Sequence, residues 1–125
     1  MRLDIFLNGC YGRIVQPYWA VITLFILFII SFLSLLPMDD LPEVAGSDKL
    51  HHFVAYTGLI FFVALRKPSY WWVWVLIFIA WGGAIELIQP YVNRYAEWLD
   101  FLVNTLGILF GVLLGFLCRK VFVFK

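Results

Sequence analysis

The most informative feature of this sequence is how little charge it carries. Asp, Glu, Lys and Arg make up 14% of its 125 residues, whereas hydrophobic residues make up 64% and aromatic residues 20%. The mean hydropathy is +0.94. A soluble domain of this length needs more polar residues to cover its surface, but a bilayer solvates apolar side chains directly. The composition therefore excludes a water-soluble protein and predicts an integral membrane protein.

The apolar residues fall into four segments, which predicts an all-α fold: one domain, residues 1–125, forming a polytopic membrane bundle of four transmembrane helices. The predicted spans are residues 17–36, 49–65, 70–88 and 101–118. A helix rises ~1.5 Å per residue and the hydrocarbon layer is ~30 Å thick, so each span is close to bilayer length. The first has no small-residue cleavage site before Pro37, which favours an uncleaved span over a signal peptide.

Basic residues are concentrated on one side of the predicted bundle. Of the nine Lys and Arg residues, only Lys49 and Arg94 fall on the opposite side. Because positively charged loops stay in the cytoplasm, we expect both termini to be cytoplasmic in a bacterial inner membrane. The only two cysteines, Cys10 and Cys118, would then lie on the reducing side, which argues against a disulfide. No cofactor and no nucleic-acid partner are expected.

Polar residues recur near the predicted extracytoplasmic side of three spans. At ~100° per residue, the stretch SDKLHHFVAY places Asp48, Lys49, His52 and Tyr56 on one helix face, with His51 at its edge. The third and fourth spans each present a similar polar stripe, and we expect the three stripes to meet. The candidate catalytic residues are His52, Glu86, Asp48 and Asp100, and the candidate ligand-binding residues are Lys49, Tyr56, Gln89, Arg94 and Asn104.

Glu86 is the most costly of these side chains, because an ionised residue within the bilayer costs at least ~2.5 kcal/mol. It is predicted to be protonated or paired with Lys49, His52 or Arg94. Asp48 and Asp100 each have a simpler alternative role. A carboxylate at the start of a helix can cap the free N–H groups of that helix.

Glycines at every fourth position mark the fourth predicted span: Gly107, Gly111 and Gly115 form a GxxxGxxxG seam. Such a seam lets another helix backbone approach closely in lipid. Packing against a helix of the same chain is one interpretation, and a homodimer through these three glycines is the other.

Two stretches, DKLHHFVAY and ELIQPYVNRYAEWLDFLVNTLG, resemble the signature of VanZ-like membrane proteins over roughly Asp48 to Gly111. The resemblance implies a small bacterial multi-pass protein and, through the founding member, a link to resistance against the antibiotic teicoplanin. The positions that match the family pattern are Asp48, Lys49, His52, Tyr56, Glu86, Gln89, Arg94, Asp100, Asn104 and Gly107. His51 does not fit the pattern.

Three classes of function follow. Two helix N-termini with Lys49 and Arg94 favour an anionic group, so the first hypothesis is recognition of a membrane lipid or lipid-linked cell-wall precursor on the extracytoplasmic side. The second is a hydrolase or transferase for a lipid-linked phosphate or acyl group, with His52 as base and Glu86 as acid. The third is a polar network that only specifies helix packing. A metal site formed by His52, Glu86, Asp48 and Asp100 is an alternative, but one imidazole with carboxylates is not a distinctive zinc set, so no metal is predicted.

Overall fold

The computed structural model describes residues 2–43 and 45–122 and is all-α over those residues. A long N-terminal helix is composed of α1 (Leu3–Cys10), a π-helical turn (Tyr11–Val15) and α2 (Gln16–Leu35). The remaining helices are α3 (Asp48–Arg66), α4 (Trp71–Ile88) and α5 (Trp98–Phe122), with short 3-10 turns at Met38–Asp40 and Gln89–Val92. Each of the four predicted spans is helical, but the first helix begins at Leu3, well before the predicted start at Pro17.

Among the described residues, three segments, and not the predicted four, are long and apolar enough to cross a membrane. They are Leu3–Leu35, Trp71–Val92 and Trp98–Val121. Helix α3 is 19 residues long but is not among them. The reason is its composition, since its first two turns contain the charged pair Asp48 and Lys49 and both histidines, which lower its mean hydropathy.

The four long helices alternate in direction. Lys49 in the first turn of α3 contacts Asp100 in the first turn of α5, and Gln89 just after α4 reaches the carbonyl of Ser34 in the last turn of α2. At the opposite end, Arg119 of α5 donates to the carbonyl of Leu65 in α3. One end of the bundle, the polar end, therefore holds the starts of α3 and α5 and the ends of α2 and α4. We call the opposite one the basic end.

Helix α3 lies at the centre of the bundle and packs along α5 through the glycine seam. A Cβ atom added at Gly107 would lie 2.6 Å from the carbonyl oxygen of Phe53, and one at Gly115 would lie 2.5 Å from Ala64 Cβ. Gly111 approaches Thr57 and Ile60 in the same way. The seam is therefore covered by a helix of the same chain, and a homodimer through these glycines would have to displace α3.

The buried face of α3 forms most of the core. Leu59, Ile60 and Val63 are fully buried, together with Phe78 of α4 and Ile108 of α5. Lipid gives little hydrophobic preference for helix association. Dispersion forces between these closely packed side chains therefore stabilise the bundle. The packing of α3 against α5 fixes the relative position of the polar residues at their starts.

Candidate functional site

The polar end of α3 and α5 brings five of the nine predicted site residues together. This polar cluster consists of Asp48, Lys49, His52, Asp100 and Asn104. Ser47 caps α3, since its side chain accepts a hydrogen bond from the Leu50 N–H at 3.1 Å. Asp48 is thus not needed as the cap, and its carboxylate lies beside His52 one turn along the same helix.

Lys49 ties α3 to the start of α5 through two carboxylates. Its Nζ atom lies 2.6 Å from Oδ1 of Asp100 and 2.6 Å from Oε2 of Glu97. Both carboxylates stabilise the charged form of Lys49. The ammonium therefore stays charged at neutral pH, but its charge is already shared by two acids.

His52 is held by α5 on one side and faces two carboxylates on the other. Its Nδ1 atom lies 2.8 Å from Oδ1 of Asn104. An amide oxygen only accepts, so Nδ1 carries the proton and the neutral ring has its lone pair on Nε2. That Nε2 lies 3.7 Å from Oδ2 of Asp48 and 3.9 Å from Oδ2 of Asp100. Both separations are too long for a hydrogen bond.

Two further predicted residues lie deeper, between α3, α4 and α5. Glu86 is 7% exposed, and its Oε2 accepts a hydrogen bond from the Glu97 N–H at 3.2 Å, whereas its Oε1 is buried without a partner. The expected pairing of Glu86 with a cation does not occur among residues 2–43 and 45–122. The hydroxyl of Tyr56 is also buried and unpartnered, beside Gly82 and the amide of Asn104.

The last two predicted residues turn towards α2. Gln89 donates to the carbonyl of Ser34 at 3.1 Å. Arg94 donates from Nη1 to the carbonyls of Leu33 and Leu36, each at 3.3 Å. Both side chains satisfy carbonyls that are left free where α2 ends. Gln89 therefore contributes to helix packing, while Arg94 keeps its other guanidinium nitrogens available.

Sequence reasoning left out two residues that the structure brings to this end. Glu97 is the second carboxylate on Lys49. Its position three residues before Asp100, at the start of a helix, is a signal that could have identified it. Ser34 lines the same cavity as His52, but the end of α2 gave no sign of this. His51, as predicted from the family pattern, stays apart from the cluster, with its Nε2 2.8 Å from the carbonyl of Ala45.

A cavity of about 950 Å³ lies between α2 and α3 at the polar end. Most of its wall is apolar, and the apolar residues from α2 include Phe25, Ile29 and Leu33. Its polar wall includes Asp48, His52 and Arg94. A separate cavity of about 640 Å³ lies between α4 and α5 and is lined in part by Glu86 and Glu97. The larger cavity therefore combines apolar and polar walls, as a site for an amphiphilic molecule does.

The chemistry available at the cluster is that of one imidazole and several carboxylates. Within the described chain, no Ser, Thr or Cys side chain forms a hydrogen bond with His52, so no activated hydroxyl or thiol nucleophile is assembled there. His52 could act on a bound molecule as a base through Nε2, which faces the carboxylates of Asp48 and Asp100.

Comparison with known proteins places the chain in a family. The sequence model of the VanZ/LLP1 family matches residues 10–119, which include all five helices in part or whole and every candidate site residue. No significant match was found among the curated proteins or the solved structures. Since the match covers most of the sequence, the chain belongs to the VanZ/LLP1 family.

Proposed function

We propose that this protein binds an anionic lipid of the cell envelope in the cavity between α2 and α3. The observation that carries the proposal is the cavity itself, which at about 950 Å³ has an apolar α2 wall and a polar end at His52 and Arg94. An acyl or isoprenoid chain suits the apolar wall, and a head group suits the polar end. A phospholipid and a lipid-linked cell-wall precursor both have this chemistry.

Arg94 supports an anionic head group. Its Nη1 atom uses its two N–H groups on the carbonyls of Leu33 and Leu36. A guanidinium has five N–H donors, so Nε and Nη2 leave three for a ligand. Two parallel N–H donors match the geometry of a phosphate or carboxylate. The carbonyls fix the guanidinium in place, which lowers the entropy lost when a ligand binds.

We also propose that α3 crosses the membrane as the fourth span, with the polar end outside and both termini in the cytoplasm. The glycine seam aligns residues 53–64 of α3 with residues 107–115 of α5, which belongs to an apolar segment. This part of α3 therefore lies at the same depth as α5. The basic end carries Arg66, Lys67, Arg119 and Lys120, which favours a cytoplasmic position.

Lipid retention tests the binding proposal. Protein purified in mild detergent is exchanged with labelled phosphatidylglycerol or phosphatidylcholine, and bound lipid per chain is measured by mass spectrometry. Ile29→Trp fills the cavity and should lower retained phosphatidylglycerol several-fold. Leu24→Trp places the same bulk on an exposed part of α2 away from the cavity and should leave retention unchanged. Equal retention by both variants would contradict the proposal.

The same assay separates the enzyme alternative, which the orientation of His52 Nε2 towards two carboxylates favours. Chemically altered lipid in the wild type that is absent with His52→Ala would support a hydrolase or transferase. Unaltered, retained lipid would support binding alone. If His52→Ala and Glu86→Gln only prevent assembly of the bundle, the polar network serves helix packing instead.

Membership of the VanZ/LLP1 family also supports a role in resistance. Expression of the wild-type protein in a teicoplanin-susceptible bacterium should raise the inhibitory concentration of teicoplanin. Arg94→Gln, produced at the same level in the membrane, should lose the effect. An unchanged inhibitory concentration with the wild type would separate this chain from the phenotype.

A further inference from the structure

The polar cluster contains three side chains arranged as ligands of one cation. One oxygen of Asp48, one nitrogen of His52 and one oxygen of Asp100 all lie within 4.8 Å of one another. Ligand atoms that share a cation at ~2.0–2.5 Å have to lie within about this separation. The Nε2 atom of His52 is 3.7 and 3.9 Å from the two carboxylate oxygens, which is too long for direct hydrogen bonds but leaves room for an ion.

The orientation of His52 is that of a metal ligand. Its Nδ1–H donates to the side-chain oxygen of Asn104 at 2.8 Å, and this fixes the ring with the Nε2 lone pair towards the carboxylates. Histidines that bind metals typically donate their other ring N–H to a carboxylate or carbonyl oxygen in this way. Asp100 is fixed similarly, since Lys49 binds its Oδ1 and leaves Oδ2 facing His52.

The charge of the surroundings favours a divalent cation. Glu97 and Asp100 share the ammonium of Lys49, whereas the carboxylates of Asp48 and Glu86 form no ion pair with a lysine or arginine among the described residues. When all four are ionised and His52 is neutral, the carboxylates and Lys49 carry a net charge of −3, which the guanidinium of Arg94 on the wall of the same cavity lowers to −2. Concentrating like charges away from bulk water is unfavourable, and a bound divalent cation would offset two of them.

The buried carboxylate of Glu86 lies near the cluster and lines the neighbouring cavity between α4 and α5. Glu86 is 7% exposed, and its Oε1 atom is buried with no hydrogen-bond donor. It lies within electrostatic range of all three ligand side chains. A buried acceptor without a donor is unfavourable unless a cation or donor is near. A cation bound by Asp48, His52 and Asp100 would lower the cost of burying an ionised Glu86 at this distance, without contacting it.

We propose that Asp48, His52 and Asp100 bind one divalent transition-metal ion of the Mn²⁺ or Zn²⁺ class. Imidazole nitrogen with carboxylate oxygens suits these ions better than Mg²⁺ or Ca²⁺, which prefer oxygen alone. Asp48 and His52 line the cavity between α2 and α3, so the ion is reached from the cavity. The proposal does not depend on lipid binding, because the ion alone is the ligand.

The test uses full-length protein with the affinity tag removed, stripped with EDTA in detergent. Mn²⁺ is added and the free ion is followed by its electron paramagnetic resonance signal, and Zn²⁺ is tested by displacement of bound Mn²⁺. We expect one Mn²⁺ per chain and coupling of the bound ion to an imidazole nitrogen. His52→Ala and Asp48→Asn should each weaken binding at least tenfold.

His51→Ala is the matched control, since this neighbouring imidazole contacts the carbonyl of Ala45 instead of the cluster. It should bind Mn²⁺ as the wild type does. The nitrogen coupling is measured on the unmodified protein, so it tests the site even where a variant fails to fold. Absence of stoichiometric binding of both ions, absence of nitrogen coupling, or equal loss in the His51 and His52 variants would each overturn the metal site. Lipid retention by Ile29→Trp and its control Leu24→Trp tests the lipid proposal separately from the metal site.

Discussion

Alanine at Gly107 is predicted to push α3 and α5 apart. The added Cβ would lie 2.6 Å from the carbonyl oxygen of Phe53, and that oxygen belongs to a helix backbone that has no alternative rotamer. The helices must separate by roughly 0.5–1 Å to restore van der Waals contact. The hydrogen bond from Thr57 Oγ1 to the Gly107 carbonyl, now 3.0 Å, would lengthen with them.

The expected magnitude follows from two opposing effects. Overpacking costs ~1–3 kcal/mol, while alanine in place of a helical glycine contributes ~0.5–1 kcal/mol in the other direction, for a net loss centred near ~1 kcal/mol and no larger than ~2.5 kcal/mol. Gly58 of α3 is the matched control, because a Cβ there meets no atom within 4 Å. Gly58→Ala should therefore stabilise the protein by ~0.5–1 kcal/mol.

Reversible unfolding of the purified protein in mixed detergent micelles, followed by circular dichroism, measures both changes. The two variants should differ by about 2 kcal/mol, with the wild type between them. If Gly107→Ala is at least as stable as Gly58→Ala, α3 does not pack against this seam. If Gly107→Ala instead converts a dimer into a stable monomer, the seam joins two chains.

Three further predictions concern the two ends of the bundle. Lys49→Met should lower the melting temperature, and adding Asp100→Asn should restore part of it, because the buried carboxylate no longer lacks its cation. Equal melting temperatures for the wild type and Lys49→Met would contradict the ion pair. Tyr11→Phe removes the acceptor for Arg119 Nη1 at 2.9 Å and should cost ~0.5–1.5 kcal/mol of unfolding free energy, whereas Tyr18→Phe, on an exposed side chain, should cost nothing measurable; equal effects would refute that contact. The lipid head group and the metal ion are expected to be in contact, so chelation with EDTA should lower the amount of retained phosphatidylglycerol and leave retained phosphatidylcholine unchanged. Unchanged retention of phosphatidylglycerol would contradict this contact.

Periodicity within single helices was enough to predict much of the polar end. The i, i+4 spacing of Asp48, His52 and Tyr56 gave their common face, and the four-residue spacing of the glycines gave a close helix contact. Local spacing fixes which side chains share a face, because the helix repeat is constant. It does not fix which helix faces the seam, so α3 as the partner of Gly107 emerged only from the packed structure.

The other contacts at the polar end join residues that are far apart in the sequence, and such contacts have no local sequence signal. Arg94 contacts the end of α2 because carbonyls are free there, more than fifty residues away in the chain. Glu86 was expected to be protonated or paired with a cation, and its contact with the Glu97 N–H was not foreseen, since it arises where the turn before α5 returns across the end of α4. The second span was predicted with nearly the correct bounds, but the polarity of its first turns keeps α3 outside the set of apolar segments. Loop paths and long-range contacts decide these points.

An experimentally determined structure of the protein purified with its native lipids tests the central claim most directly. The account predicts a lipid in the cavity between α2 and α3, with its chain along Phe25 and Ile29 and its head group within hydrogen-bond distance of Arg94 and close to His52. A cavity closed by direct contact between α2 and α3, or lipids bound only on the outer faces of the bundle, would contradict it.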